Sequence, residues 1–302
     1  MTATLTSPDK LLWPQAGFTK ADLWHYLEQV AGRMLPHIAG RPLTLLRHPS
    51  GVDRPGFFQK NLAASAPASV KRFTVWTPSS RREVAYPLAD DLDDLRWLAN
   101  QNTVEFHHWF STTARPDRPD LLVFDLDPAD ATQSAARAAL WLREILDGLG
   151  LASAVKTSGK RGLHVYVPVE RRYGFDELRG FGLAVVRVCA ARHPDDLTVQ
   201  MRKAERGGRL LLDWSRNGAA QTLAAPWSPR AHPAGTVSTP LEWDEVTDEL
   251  DPTAFTLATA PNRPDPWATM PAPQRIEQAR RALADAGFPS VDASPRARTR
   301  DA

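Results

Sequence analysis

The stretch LLVFDLDP, residues 121–128, ends an apolar run with aspartates at alternate positions, Asp125 and Asp127. In a strand, residues i and i+2 point to the same face, about 6.6 Å apart along the chain. Two carboxylates so placed repel each other, and burying them is costly. A divalent cation removes that cost, and carboxylates paired on one strand suit two metals held about 3.5–4 Å apart for phosphoryl transfer. A third carboxylate must then come from elsewhere. Asp213 is the candidate, because RLLLDW (209–214) is a second apolar strand ending in an aspartate. The bland reading is that all three cap strand ends in solvent. The same context repeated at Asp213 weighs against it.

A second constellation is TSGKRGLHVYVPV, residues 157–169. Ser158, Gly159 and Gly162 predict a tight turn whose backbone N–H groups can receive phosphate oxygens. Lys160 and Arg161 add positive charge. His164 falls on the following strand, on the face shared with Tyr166. Alone, this reads as an ordinary cationic hairpin; beside a metal site it reads as a triphosphate clamp. EFHHW (105–109) offers His107, on the strand face opposite Phe106. Arg202, Lys203, Arg206, Arg209 and Arg230 are further cations, each unremarkable by itself. In GFFQK (56–60), Phe57 and Phe58 stand beside Lys60. Core packing is the default for the two rings, and stacking on a nucleic-acid base is the sharper alternative.

These residues need elements to position them. Residues 19–35 predict a helix, with Thr19 and Asp22 at capping-box spacing, Leu23, Tyr26, Leu27, Val30 and Met34 as its apolar stripe, and Pro36 as its end. Residues 42–60 read as short strands and turns. From 120 to 230 the pattern is β-α-β-β-α-β-β: a strand at LLVFDLD, a helix over 132–150 capped by Thr132, strands at 151–158 and 163–169, a helix over 175–193, and a final strand pair at 209–215 and 220–226. A strand–turn–strand pair demands antiparallel pairing. The expected fold is therefore α+β, a mixed or antiparallel sheet of RRM-like or ferredoxin-like type with helices on one face. Residues 1–110 form an N-terminal α/β module, 111–260 the catalytic module, and 261–302 a Pro-rich linker, a short helix at 275–287 and a disordered tail from 289.

Composition bounds the rest. A chain of 302 residues with 26 prolines has room for a large core and many rigid connections. Its one cysteine, Cys189, excludes an intrachain disulfide and a Cys-based zinc site. No run of about 18 apolar residues occurs, so no membrane span is expected. The start, MTATLTSPDK, lacks the apolar core of a signal peptide, and a cytoplasmic, nucleoid-associated protein is expected. Net charge is only +2, but residues 1–72 carry nine Lys/Arg against four Asp/Glu, and 155–230 carry fourteen against seven. Two basic segments in a near-neutral chain suit a polyanion.

Taken together, LTSPDKLLWP, MLPHIAGRPLTLLRHPSGVD, GFFQKN, EFHHW, LVFDLDP, TSGKRGLHVYVPV, LLLDWSRN and AAPWSPR resemble, in order and over residues 5–245, the polymerase domain of bacterial DNA ligase D, in the archaeo-eukaryotic primase superfamily. The resemblance implies a template-directed nucleotidyltransferase with a primase-like core. Asp125, Asp127 and Asp213 would hold two Mn²⁺ or Mg²⁺ ions. Ser158, Lys160, Arg161, His164, Arg206 and Arg230 would hold the incoming NTP or dNTP, with His107 near its triphosphate. Lys10 and Lys20 would bind the 5′-phosphate at a gap or broken end, Phe57 and Phe58 would stack on the template, and Arg47 and Lys60 join the DNA-binding set. It also implies a preference for ribonucleotides and a place in non-homologous end joining with Ku. Arg161 stands where lysine is frequent, which replaces a point charge by a planar fork. Arg216 stands where an amide is common. The ligase and phosphoesterase domains that accompany the family domain do not fit in this chain, so sealing is expected to need a separate ligase.

Two other readings compete. VFDLDP resembles the nucleophile strand of haloacid-dehalogenase-type phosphatases, which need threonine or valine where this chain has Ala129. A non-catalytic DNA-end-binding module would use the basic face and the Phe pair, and would leave the three aspartates dispensable.

Overall fold

In the computed structural model, which describes residues 3–77, 81–130 and 133–291, the chain opens with a short hairpin of β1 (Leu11–Trp13) and β2 (Phe18–Thr19). Thr19 then caps α1 (Lys20–Ile38). Its side chain accepts from the Asp22 N–H while the Asp22 carboxylate accepts from the Thr19 N–H, a complete capping box. Pro36 does not end this helix, contrary to expectation. It lies one turn from the C-terminus, where its missing N–H forfeits one bond, and buried Met34 and Ile38 hold the last turn against the core.

Next come β3 (Leu43–Arg47), β4 (Phe57–Gln59), the paired strands β5 (Arg72–Thr77) and β6 (Arg82–Pro87), α2 (Leu92–Asn100) and β7 (Thr103–His108). The second half holds β8 (Leu121–Asp127), α3 (Ala135–Gly148), β9 (Ala154–Thr157), β10 (Leu163–Pro168) and α4 (Phe175–Arg192). The strands β11 (Leu197–Thr198), β12 (Leu210–Asp213), β13 (Leu223–Ala224) and β14 (Pro240–Leu241) follow, then α5 (Glu277–Asp285). Ser134 caps α3; Thr132, the expected cap, lies outside the described residues.

The main sheet runs β11-β12-β8-β10-β9-β14, antiparallel except for β11 beside β12. Counted in chain order, β8, β9, β10 and β12 stand 4-1-3-2, the arrangement of an RRM-like βαββαβ unit. Its cause is visible in β8. Leu122, Phe124 and Leu126 are fully buried against α3 and α4, which share that face. Val123, Asp125 and Asp127 therefore turn to the other face, which carries no helix of this unit and is left for the site.

A second sheet, β13-β7-β3-β4, is antiparallel throughout. The expected strand pair at 209–215 and 220–226 does not form. β12 stays in the main sheet, while β13 crosses over and pairs with β7. Ala225, Trp227, Val237 and Leu257 follow it into the core that α1, α2 and β3 build. The chain thus returns to its N-terminal body after residue 220. The Pro-rich stretch is packed rather than free: Trp267 is buried beside Tyr166, and its indole N–H donates to the Val155 carbonyl. Ala279 and Leu283 of α5 join the core of the main sheet. The expected disordered tail falls mainly on residues 292–302, outside the described residues.

Candidate active site in the cleft between two sheets

A cleft of about 530 Å³ separates the helix-free face of the main sheet from the second sheet. Asp125 and Asp127 line it, and register sets Asp213 beside them. Asp213 on β12 lies directly opposite Asp125 on β8, and His164 on β10 lies opposite Asp125 from the other side. Asp127 stands two residues on and is exposed. Asp125 pays most for its position. Burial pushes its carboxyl up to about 6, with the Asp213 and Asp127 charges adding to the rise and Arg216 opposing it.

Asp213 is fixed on one side only. Its Oδ1 accepts from the Ser215 N–H at 2.8 Å and the Ser215 hydroxyl at 2.6 Å. Its Oδ2 faces Arg216 Nε at 3.2 Å, and the same Nε lies 3.5 Å from Asp125 Oδ2. Arg216 therefore stands between the two carboxylates, the position in which a bound cation would neutralise them. Among the described residues, no three His, Cys, Asp or Glu side chains are gathered as an ion-holding group. The donors themselves are hard carboxylate oxygens on adjacent strands, which match Mg²⁺ or Mn²⁺ in chemistry, and the raised pKa of Asp125 reflects a cost that a cation would lift.

The opposite wall is cationic and carries one buried acid. Glu105 on β7 is 1% exposed. Burial favours its neutral form, but Arg230, His107 and Lys160 outweigh that and hold the carboxyl well below the usual range. Its contacts are His107 Nε2 at 2.7 Å, Arg230 Nε at 3.2 Å and Lys160 Nζ at 3.5 Å, and it also accepts from the Ala231 N–H at 2.9 Å. One carboxylate thus gathers three of the groups that the sequence singled out. The alternation of β7 explains why Glu105 and His107 face the cleft, since Val104 and Phe106 fill the core behind.

The turn at 158–162 closes the cleft. Ser158 Oγ accepts from the N–H groups of Lys160 and Gly162, both at 3.1 Å, so two of the donors expected to meet phosphate are already used. The Arg230 guanidinium donates to the Ser158 carbonyl. The two glycines are dictated by space. Gly159 has φ +68°, and a Cβ on Gly162 would sit 2.3 Å from the Leu126 carbonyl oxygen, between the two aspartates of β8.

Of the remaining candidates, Lys60, Phe58, Lys160, Arg161, His164 and Arg230 all line the cleft. Phe58 is 62% exposed and meets His107 edge-on at 5.7 Å, and Phe57 is 47% exposed, so neither is core. β4 is the edge strand of its sheet. Phe57 does not line the cleft; it lies under the Arg47 guanidinium, which is 5.4 Å from its ring and donates to Gln101 O and Gln59 Oε1. Arg206 stays outside the cleft, donating to the Met201 carbonyl. Lys10 and Lys20 lie together at the start of α1, apart from the cleft. Lys20 Nζ donates to Thr6 O at 2.8 Å, and burial, with Lys10 beside it, lowers its pKa. Sequence reasoning missed Glu105 and Lys156. Each left a signal: Glu105 stands two residues before His107, and Lys156 is a charge inside an apolar strand.

The residues from 19 to 268 match the family model of the LigD primase-polymerase domain. The chain belongs to that family. It is a nucleotidyltransferase of the primase-polymerase type, a polymerase domain of the kind that the end-joining repair proteins named LigD carry. The multifunctional non-homologous end joining DNA repair protein LigD of Mycobacterium tuberculosis is 38% identical over 256 residues, 81% of this chain and 33% of that protein. The bifunctional LigD of Bacillus subtilis is 33% identical over 261 residues, 85% of this chain and 42% of its own length. The chain thus spans about a third of the length of the mycobacterial relatives it matches. The fold is similar to that of the polymerase domain from Mycobacterium tuberculosis ligase D in complex with DNA, with a TM-score of 0.81 and 33% identity over 89% of this chain and 99% of that one.

Proposed function

We propose that this LigD-type domain extends a primer 3′-hydroxyl with nucleotides at gaps or broken DNA ends, ribonucleotides preferred, by two-metal phosphoryl transfer in end-joining repair. The observation that carries the reading is a cleft lined by Asp125 and Asp127, with Asp213 set directly opposite Asp125 on the next strand, that also holds His107, Lys160 and Arg230. Divalent ions held by the three aspartates would supply Lewis acidity that favours the attacking alkoxide and offsets charge on the leaving pyrophosphate. The chain's own groups bind and orient. Lys160, Arg161, Arg230 and His164 provide donors for a triphosphate, and Glu105 keeps two of those cations and His107 from swinging away. No side-chain nucleophile is needed. Cys189 is buried, and burial raises its thiol to about 12.

Phe58, at the mouth of the cleft, is placed to stack on an unpaired base. Lys10 and Lys20 form a separate cationic point for the 5′-phosphate of a downstream strand. Sealing would fall to a ligase activity, with Ku as the end-binding partner. The test is primer extension on a gapped duplex bearing a 5′-phosphate, with NTPs or dNTPs and Mn²⁺, for wild type and Asp127→Ala. Templated addition by wild type alone, with higher kcat/KM for NTPs, is expected. Equal DNA binding without extension by either protein would leave a non-catalytic end-binding module as the account.

A further inference from the structure

Behind the nucleotide wall lies an amine that none of these roles uses. Lys156, on β9, has no exposed surface. Register sets it directly opposite His164, and its Nζ lies 2.7 Å from His164 Nδ1. Its other partner is Ser238 Oγ. That hydroxyl spends its own hydrogen on the Thr157 carbonyl at 2.8 Å, so towards Lys156 it can only accept. The far nitrogen of the ring, Nε2, faces Asp125 Oδ1 at 3.5 Å, an acceptor when ionised. A ring protonated at Nδ1 alone would set the Nε2 lone pair against carboxylate oxygen. A ring protonated at Nε2 alone matches donor to acceptor at both ends.

We propose that Lys156 is a positioning residue that donates to His164 Nδ1, holding the ring in the Nε2–H tautomer so that an N–H faces the anionic contents of the cleft. The proposal rests on reading His164 as a nucleotide contact. A phosphate oxygen has only lone pairs to offer, so a ring that turned its own lone pair outward would repel the nucleotide it should bind. The tautomer is set from behind because Lys156 cannot move: β10 and β14 flank it on either side, opposite His164 and Pro240.

The test is ¹⁵N NMR of protein labelled at histidine, with the His164 signals identified from a His164→Gln sample. It is combined with nucleotide KM and gapped-DNA Kd for wild type and Lys156→Met. Wild type should carry its proton on Nε2. Lys156→Met should show the other tautomer or a mixture, with KM for the nucleotide raised about tenfold, as for one lost charge-assisted hydrogen bond, and DNA Kd unchanged. An Nδ1–H ring in wild type, or a Lys156→Met protein with unchanged tautomer or unchanged KM, overturns the proposal. If Lys156→Met does not fold, the wild-type spectrum decides alone. A wild type that extends no primer would sink the polymerase reading, while the ring signals would still report on Lys156.

Discussion

Asp125 concentrates the electrostatic cost of the site. Its folded-state value of about 6 exceeds the ordinary 3.8, chiefly through burial, so the folded protein holds this proton more tightly than the unfolded chain does. Stability without metal should therefore fall as pH rises from about 4 to about 6, and the whole penalty should be present above that range. Asp125→Asn removes it. The variant is expected to be more stable than wild type by about 2–3 kcal/mol at pH 7.5 in chelator, with no difference below pH 4, as read by urea unfolding. Mn²⁺ should raise the Tm of wild type and leave that of the variant where it was. Arg216 bears on the same balance from the other side. Its Nε competes with a cation for Asp213 Oδ2 and Asp125 Oδ2. Arg216→Gln should lower the Mn²⁺ concentration for half-maximal extension several-fold, in a metal titration at fixed nucleotide. An unchanged midpoint would mean that the guanidinium leaves the carboxylates before the ion arrives.

At the scale of elements, the turn joining β9 to β10 couples the nucleotide wall to the metal wall. A Cβ on Gly162 would run into Leu126 O, so any side chain there presses on the strand segment between Asp125 and Asp127. Gly162→Ala is expected to cost about 1–3 kcal/mol in thermal unfolding and to depress kcat/KM by more than its stability loss explains. Gly148→Ala, at the end of α3 where a Cβ would meet nothing within 4 Å, should leave kcat/KM unchanged and should not lower thermal stability. These strands were legible in the sequence because alternation is a local signal, and LLVFDLD and LHVYVPV both alternate over most of a strand. Leu223–Ala224 was expected as a strand within 220–226, but with the wrong partner, because its true partner, His107–His108, lies over 100 residues away. Phe57 and Phe58 misled for a related reason: hydrophobicity marks a residue as wanting cover, but whether a layer exists to cover an edge strand is settled by the whole fold.

Across the whole molecule, the aspartates and the glycine-bearing turn could be picked out in advance because each is chemically conspicuous where it stands. Glu105 could not be assigned its partners, because His107, Lys160 and Arg230 meet it only when β7 and the β9–β10 turn are brought together by two separate cores, whereas Lys156 needed only the register of the β9–β10 pair that sets it opposite His164. Glu105 and His107 belong to one core, through β7, whereas the aspartates of β8 and β12 and His164 of β10 belong to the other. Charge is arranged at the same scale: acids at the strand ends of one wall, cations on the facing wall, in a chain whose net charge is only +2.

That crossing of β13 into the N-terminal sheet has a consequence for anyone who cuts the gene in two. A break after residue 110 looks natural in the linear sequence, yet the first fragment would leave behind the strand that completes its sheet, together with Trp227 and the Arg230 that pairs with Glu105. The fragments are expected to be insoluble when made singly and to recover polymerase activity only when made in the same cell, as judged by co-purification through a tag on one half. The same interleaving makes the domain a candidate split reporter, because its output would appear only on reunion of the two pieces.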